Sequence, residues 1–332
     1  MQNINWAIVG LGNIANSFAL ELKQLPNCTL HAVVSRTLSK ANDFALKHKV
    51  ANAYASYKML LENEAIDAIY IATPHSLHKQ LTIQALKYNK AVLCEKPLAL
   101  NSKDVLEMIT VAKQNNVLLM EALWTAFLPH FQKVKDIIGT RQFKAKPFGK
   151  LISLEADFGF KAPPNPDSRI IDKKLGGGSL MDVGIYPIFC ALSILGKPKS
   201  IDAKAVFLDN GVDASTSITF NYQSFKAQLK SSIVEDTPTA AIFTFEKCRL
   251  VINSRFHEPS TVSIYFNDSL NKPIHLDFNY TTIGYSFEIE HFNNLIRNNK
   301  TESNIMDFQT SIELMQLLDT VKAKINLDYN NL

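Results

Sequence analysis

The chain has 332 residues, 46% of them hydrophobic and 20% charged, with 35 Lys and Arg against 31 Asp and Glu for a formal net charge of +4. That length is too great for one comfortable core and predicts about two domains of an ordinary globular enzyme. The charges form no polybasic tract, which excludes a nucleic-acid or membrane-surface patch, and no apolar run reaches the roughly 20 residues of a bilayer span.

Residues 5–9 form a short apolar strand that runs into Gly10-Leu11-Gly12-Asn13-Ile14-Ala15 and then into an amphipathic helix through Phe18, Leu22 and Leu25. This is a dinucleotide-binding fingerprint in its proper setting. Gly10 permits the tight turn, Gly12 lets backbone approach a pyrophosphate, Ala15 lets the helix pack on the strand, and Asn13 and Ile14 offer free N–H groups at the positive helix end. Strands over 30–35, 68–72, 91–94 and 117–120 then alternate with helices over 38–47, 57–63, 77–88 and 102–115. The pattern is that of βαβ units in a doubly wound parallel sheet, with ligand chemistry at the strand ends.

After a helical stretch over 125–138 the text changes to successive strands over 151–160, 200–208, 215–222, 224–234, 240–245, 249–254, 261–266 and 273–278. Alternation and short turns such as Asn210-Gly211 favour a largely antiparallel open sheet. A helix over 179–195 enters from Gly176-Gly177-Gly178 and leaves at Gly196, and helices over 286–298 and 307–325 close the chain. The expected architecture is α/β: a Rossmann domain over 1–123 and an α+β substrate-binding domain over 124–332, whose last helices are candidates to pack back on the first domain.

Chemistry-bearing residues gather at the strand ends. The second strand ends in Ser35-Arg36-Thr37, with no acidic residue to hold ribose hydroxyls. A guanidinium flanked by hydroxyls suits a 2′-phosphate, so NADP is favoured over NAD; the alternative is a solvated charge at a strand end. Thr73-Pro74-His75 and His78 follow the strand over 68–72, and Glu95-Lys96-Pro97 follows that over 91–94. The histidines lack metal-ligand spacing and read as cofactor lining or helix capping. Lys96, fixed between a strand end and a proline, can aim its ammonium into a cleft, against the alternative of a surface lysine. Asp182 and Tyr186 share a helix face as an i, i+4 pair, which suits either a substrate-facing surface or a helix-end Asp beside a core Tyr.

The cysteines Cys28, Cys94, Cys190 and Cys248 stand too far apart for Cys-x-x-Cys metal or redox pairs, and the chain enters its first strand without a signal-peptide n-region. A reducing, cytoplasmic setting is expected.

Taken together, Gly10-Leu11-Gly12-Asn13-Ile14-Ala15, Glu95-Lys96-Pro97 and the stretch from Gly176 to Pro187 resemble the glucose–fructose oxidoreductase / inositol dehydrogenase / rhizopine-catabolism (Gfo/Idh/MocA) family over nearly the whole chain. Met120-Glu121-Ala122-Leu123-Trp124-Thr125 and Ala156-Asp157-Phe158-Gly159-Phe160 are similar to its dimeric dihydrodiol dehydrogenases; Ala126 departs from the arginine common there, which leaves substrate choice open. The resemblance implies an oxidoreductase moving hydride between NADP and a secondary alcohol or carbonyl of a sugar, polyol or cyclic diol. It makes Lys96 and Tyr186 the catalytic pair, Asp182 a substrate-positioning or supporting carboxylate, and Trp124 a wall near the nicotinamide and substrate. Phe158 is a further candidate substrate contact, and Arg169, ahead of the triple glycine, is a candidate positive edge of the pocket, against the alternative of a surface salt-bridge partner. An ammonium about 4 Å from a tyrosine contributes on the order of 4 kcal/mol at an effective dielectric of about 20, which lowers a pKa of ~10 by up to roughly three units. Tyr186 as base with Lys96 as activator, or Lys96 as shuttle with Tyr186 orienting substrate, both fit. The alternative function is a non-catalytic nucleotide-binding regulator of the same fold. A homodimer through the second sheet is expected, from the family and from the apolar alternation of Ile242, Phe243, Phe245, Val251 and Ile252.

Overall fold

From the N-terminus run β1 (Ile4–Val9), α1 (Asn13–Leu22), β2 (Cys28–Val34), α2 (Leu38–His48), β3 (Asn52–Tyr54), α3 (Tyr57–Leu61), β4 (Ala68–Ile71), α4 (His78–Lys87), β5 (Ala91–Glu95), α5 (Ser102–Asn115) and β6 (Leu119–Ala122). There follow α6 (Pro129–Gly139), β7 (Leu151–Gly159), α7 (Ile185–Leu195), β8 (Ser200–Phe207), β9 (Asp213–Asn221), β10 (Lys226–Ser232), β11 (Ala241–Phe245), β12 (Cys248–Ile252), β13 (Val262–Phe266), β14 (Ile274–Leu276), α8 (Tyr285–Arg297) and α9 (Phe308–Ile325). The computed structural model describes residues 2–139, 148–163, 168–268 and 270–329. The chain divides into two compact units, Met1–Trp124 with Thr282–Ile312, and Thr125–Thr281 with Glu313–Leu332.

In the first unit six parallel strands lie in the order β3-β2-β1-β4-β5-β6. β4, β5 and β6 are buried along their whole length, as strands covered by helices on both faces must be. The strand order reverses between β1 and β4, so the connections that leave these strands diverge and open a crevice at their carboxyl ends. β3, short and only half-buried at the sheet edge, escapes the sequence pattern because three residues carry no readable period.

The first unit also holds α8. Trp6, fully buried in β1, donates from Nε1 to Asn293 Oδ1 at 3.0 Å and packs its ring 5.1 Å from that of Phe292. The Glu21 carboxylate on α1 accepts the N–H groups of Ile283, Gly284 and Ser286, meeting the positive end of α8. The second domain read over 124–332 therefore loses Trp124 and Thr282–Ile312 to the first unit. Trp6 and Glu21 look like an ordinary core residue and an ordinary helix carboxylate until their distant partners are known.

In the second unit eight strands lie in the order β14-β13-β12-β11-β7-β10-β9-β8, antiparallel except for the β7/β10 pair. The expected fold class is borne out in both sheets. α6 and α7 pack against each other through Phe131 and Phe189, whose rings stack at 5.4 Å. The helix read over 125–138 is in fact a 3₁₀ turn, Trp124–Phe127, and then α6, because Pro129 lacks an N–H and restarts the helix as its first residue. The helix read over 179–195 begins as a π turn, Leu180–Gly184, since Pro187 has no N–H to return to the Val183 carbonyl in α register. Lys173–Leu195 is long and apolar enough by composition alone for a membrane span, but 83% of its most apolar window is buried inside the protein, as in a core segment. Phe243, Phe245 and Ile252 point to the buried side of the sheet, so the opposite face, where Ile242 pairs with Val251 beside Glu155, is mixed rather than apolar.

In the first turn of α8 stands Glu288, fully buried, with neither carboxylate oxygen hydrogen-bonded. Burial, then the neighbouring Glu95 and Glu21 carboxylates, push its pKa well above the usual value. The folded chain thus keeps a proton that the unfolded chain releases, so this group's contribution to stability is full below its unfolded pKa of ~4.3 and is lost as pH rises towards the folded value. Glu288→Gln is expected to gain at least about 3 °C in melting temperature over the wild type between about pH 5 and about pH 9. Melting curves that stay parallel across that range would remove the argument.

Candidate active site

The fingerprint turn sits at the strand reversal. Gly10 N donates to Val34 O of β2 at 3.4 Å while Ala72 N, after β4, donates to Val9 O at 2.8 Å, so the turn is held between its two neighbours. Gly10 has φ +90°, and a Cβ there would stand 2.6 Å from Ala72 O. Gly12, in contrast, faces open space: a Cβ would meet nothing within 4 Å. Gly12 begins α1 without any side-chain cap and no acidic residue occupies the first turn, so the N–H groups of exposed Asn13 and half-buried Ile14 remain for a ligand. Ala15 is fully buried.

Along the same sheet edge, Ser35 is half-buried and Arg36 and Thr37 are exposed; Thr37 precedes α2 without using its hydroxyl as a cap. Thr73 and Pro74 are half-buried, and the buried Oγ1 of Thr73 has no hydrogen-bond partner. An orphaned hydroxyl beside a glycine cradle and an open helix end fit a dinucleotide phosphate. His75 is buried with its ring edge-on to His78 at 5.7 Å. His78, expected to line the cofactor, is fully buried with its ring nitrogens 2.9 Å from Thr73 O and 2.9 Å from Pro97 O. Its geometry makes it a brace that ties the loop after β4 to the loop after β5.

Glu95 ends β5 and is buried; it accepts from the Tyr70 hydroxyl and, through Oε2, from Lys96 N at 3.2 Å. Tyr70 is itself clamped by Phe18, their rings stacked at 3.7 Å. Lys96, 8% exposed, follows at the loop and precedes a cis proline. Trp124 stacks on Tyr285 at 4.6 Å, so α8 holds the indole plane.

In the second unit Asp182 lies in the π turn and Tyr186 in the first turn of α7, both buried. Arg169 Nη1 contacts Asp182 Oδ1 at 3.0 Å, with the arginine half-exposed and the aspartate not. The positive pocket edge expected of Arg169 is thus joined to Asp182, which it holds in place. Phe158, on β7, lies 5.5 Å from the Tyr186 ring. Sequence reasoning missed His257: its ring stands 4.1 Å from Phe158 and 4.9 Å from Tyr186, and it is buried. Thr125 Oγ1 donates to His257 O at 2.7 Å, and His130 Nε2 lies 2.9 Å from Phe256 O, so the loop after β12 is pinned on both sides of the imidazole. A single histidine in a short polar loop carries no sequence signal; only the β7–β11–β12 pairing brings it to Phe158. Chemically this unit presents a phenol and a carboxylate in an aromatic wall, groups able to orient a hydroxyl and to accept its proton.

A family model described as "Oxidoreductase family, NAD-binding Rossmann fold" matches residues 4–123, and a GFO/IDH/MocA C-terminal domain model matches residues 131–252. The chain is 33% identical over 330 residues to scyllo-inositol 2-dehydrogenase (NADP(+)) of Bacillus subtilis, covering 98% of each protein. It is 32% identical over 337 residues to trans-1,2-dihydrobenzene-1,2-diol dehydrogenase of Xenopus tropicalis, again covering 98% of each. A 3-ketoreductase from Actinomadura kijaniata, crystallised with NADP and TDP-benzene, shares the fold with a TM-score of 0.87 at 24% identity over 98% of both chains.

The two glycines separate folding from binding. Gly12→Ala is expected to keep the wild-type melting temperature and to weaken dinucleotide binding at least about tenfold, a loss of ~1.4 kcal/mol, in a nicotinamide-fluorescence titration. Gly10→Ala is expected to lose stability by about 1–3 kcal/mol through backbone strain and the clash with Ala72 O. Wild-type affinity in Gly12→Ala would place the phosphates elsewhere.

Proposed function

The chain belongs to the Gfo/Idh/MocA oxidoreductases, NAD(P)-dependent dehydrogenases and reductases acting on CH–OH groups, and from that premise we propose that it uses NADP to interconvert a secondary alcohol and its ketone on a hydroxylated ring. Two relatives support the substrate class: the named substrates, scyllo-inositol and dihydrobenzenediol, are both six-membered carbocycles with neighbouring secondary hydroxyls. A sugar, polyol or cyclic diol of that kind is the expected ligand. Support for NADP comes from the exposed Arg36 between Ser35 and Thr37 at the end of β2, where a guanidinium can pair with a 2′-phosphate.

The observation that carries the reading is the carboxyl edge of the first sheet, with its closed Gly10, open Gly12 and orphaned Thr73 hydroxyl. The turn from Gly10 to Ile14, with Ser35, Arg36, Thr37, Thr73, Pro74, His75, Glu95, Lys96 and Trp124, would hold the dinucleotide. When bound, its nicotinamide supplies the hydride acceptor or donor. Tyr186 takes the hydroxyl proton as the alcohol is oxidised and returns it in reduction. Lys96 contributes a positive charge that favours the phenolate. Asp182, fixed by Arg169, orients a second hydroxyl, while Phe158 and His257 form a wall against which an apolar ring face can lie.

Arg36→Ala is expected to weaken NADPH binding about 10–100-fold and leave NADH binding nearly unchanged. On a panel of inositols, sugars and ring diols monitored at the nicotinamide absorbance, Lys96→Met and Tyr186→Phe should each lower kcat by about 10²–10⁴. Cofactor binding with no turnover across the panel would return the regulator reading; equal loss of NADPH and NADH affinity in Arg36→Ala would sink the NADP preference.

We further propose a homodimer through the open face of the eight-stranded sheet, supported by the half-buried Ile242–Val251 pair at its middle. Light scattering should give twice the chain mass, and Val251→Asp should shift it to the monomer. A monomeric wild type at micromolar concentration would end this proposal.

A further inference from the structure

The run Gly176-Gly177-Gly178-Ser179 carries no reacting group, yet its backbone is wedged from two sides. On one side Gly177 N donates to Asp172 O at 2.9 Å and Gly178 N to Ile170 O at 2.8 Å, and a Cβ on Gly177 would stand 2.5 Å from Ile170 O and 2.7 Å from Arg169 O. On the other side is Asp213, fully buried at the head of β9. Its Oδ2 accepts from Ser179 Oγ at 2.7 Å, Leu180 N at 2.7 Å and Thr216 Oγ1 at 2.8 Å. A Cβ on Gly178, where φ is +125°, would lie 2.1 Å from Asp213 Oδ1. Tyr329, buried close to the end of the chain, donates from its hydroxyl to Gly177 O at 2.6 Å.

These contacts act where the helix bearing Asp182 and Tyr186 begins. Ser179 makes no side-chain cap for the π turn, and the Asp213 carboxylate supplies that cap from another element, accepting the Leu180 N–H at the positive helix end. The same run links the turn that carries Arg169 to the turn that carries Asp182, and the two residues meet at 3.0 Å.

We infer that Asp213 and Tyr329 are positioning residues for the proton-transfer groups: a carboxylate clamp and a C-terminal latch that fix the widened turn and, through it, the placing of Asp182 and Tyr186. The inference rests on the reading of Asp182 and Tyr186 given above. Tyr222 provides the internal comparison, since its hydroxyl donates to Gly196 O at 2.9 Å, the same kind of bond at the far end of the same helix.

The test compares Asp213→Asn, Tyr329→Phe, Tyr222→Phe and Tyr186→Phe in the full chain, with scyllo-inositol and NADP as the kinetic probe pair. Hydrogen exchange of the backbone from Gly176 to Tyr186 is the readout that needs no turnover. Tyr329→Phe and Asp213→Asn are expected to speed exchange there and to lower kcat/KM at least about tenfold, with NADPH affinity within about twofold of wild type; Tyr222→Phe should do neither. Unchanged exchange in Tyr329→Phe and Asp213→Asn, or a kcat/KM loss as large in Tyr222→Phe, overturns the inference. Should Asp213→Asn fail to fold, Tyr329→Phe, which removes one hydroxyl near the chain end, decides the matter alone. Wild-type kcat in Tyr186→Phe would instead overturn the site reading beneath it, whereas an inactive Tyr186→Phe beside fully active clamp variants overturns only the clamp.

Discussion

The absence of a β-carbon at Gly10 governs the first unit. The turn leaves β1 between the backbones that follow β2 and β4, and the Ala72 carbonyl occupies the space a side chain would need. Because the chain can turn there, α1 starts with its N–H groups facing the crevice where the strand order reverses. Arg36, Thr73 and Lys96 owe their common edge to the same sheet: each follows a strand that ends level with that turn. The two fingerprint glycines do opposite things. One is required by what surrounds it, the other by what must be able to approach it.

Helix α8 extends this logic to residues that bind nothing. Glu21 caps it, Trp6 anchors it, and Tyr285 backs the Trp124 indole. Glu95, the residue before Lys96, is fixed by Tyr70, and Tyr70 by Phe18. The groups assigned to the cofactor edge are thus supported by buried aromatic and carboxyl residues drawn from both ends of the chain. Burying several carboxyl groups together is costly, and Glu288 meets that cost by holding its proton.

Much of this was legible beforehand. The parallel sheet could be read because its strands are short, apolar and separated by helical periods, and its edge residues because each stands directly after a strand. Asp182 and Tyr186 were visible as an i, i+4 pair on an apolar helix. What could not be read depends on contacts across long stretches of sequence or on local irregularity. His257 follows β12 and is brought to Phe158, and with it Tyr186, only because β12 is joined through β11 to the distant β7. The π turn follows from a missing N–H at Pro187, a backbone effect that hydrophobic periodicity does not report. His78 has the composition of a ligand-facing residue and the surroundings of a brace. The triple glycine was read as the entry to a helix, whereas the structure uses it for closeness.

The two units are each made from two stretches of chain, and α9 starts in one and finishes in the other. During synthesis, therefore, neither unit is complete when its first stretch leaves the ribosome. Trp6 and Glu21 must wait for partners some 287 and 262 residues downstream, and the loop at Gly177 waits 152 residues for Tyr329. Contacts of such long range slow folding and leave apolar faces uncovered meanwhile. For this chain a ribosome that stalls before Ile312 releases a protein with two unfinished units rather than one finished domain and a tail.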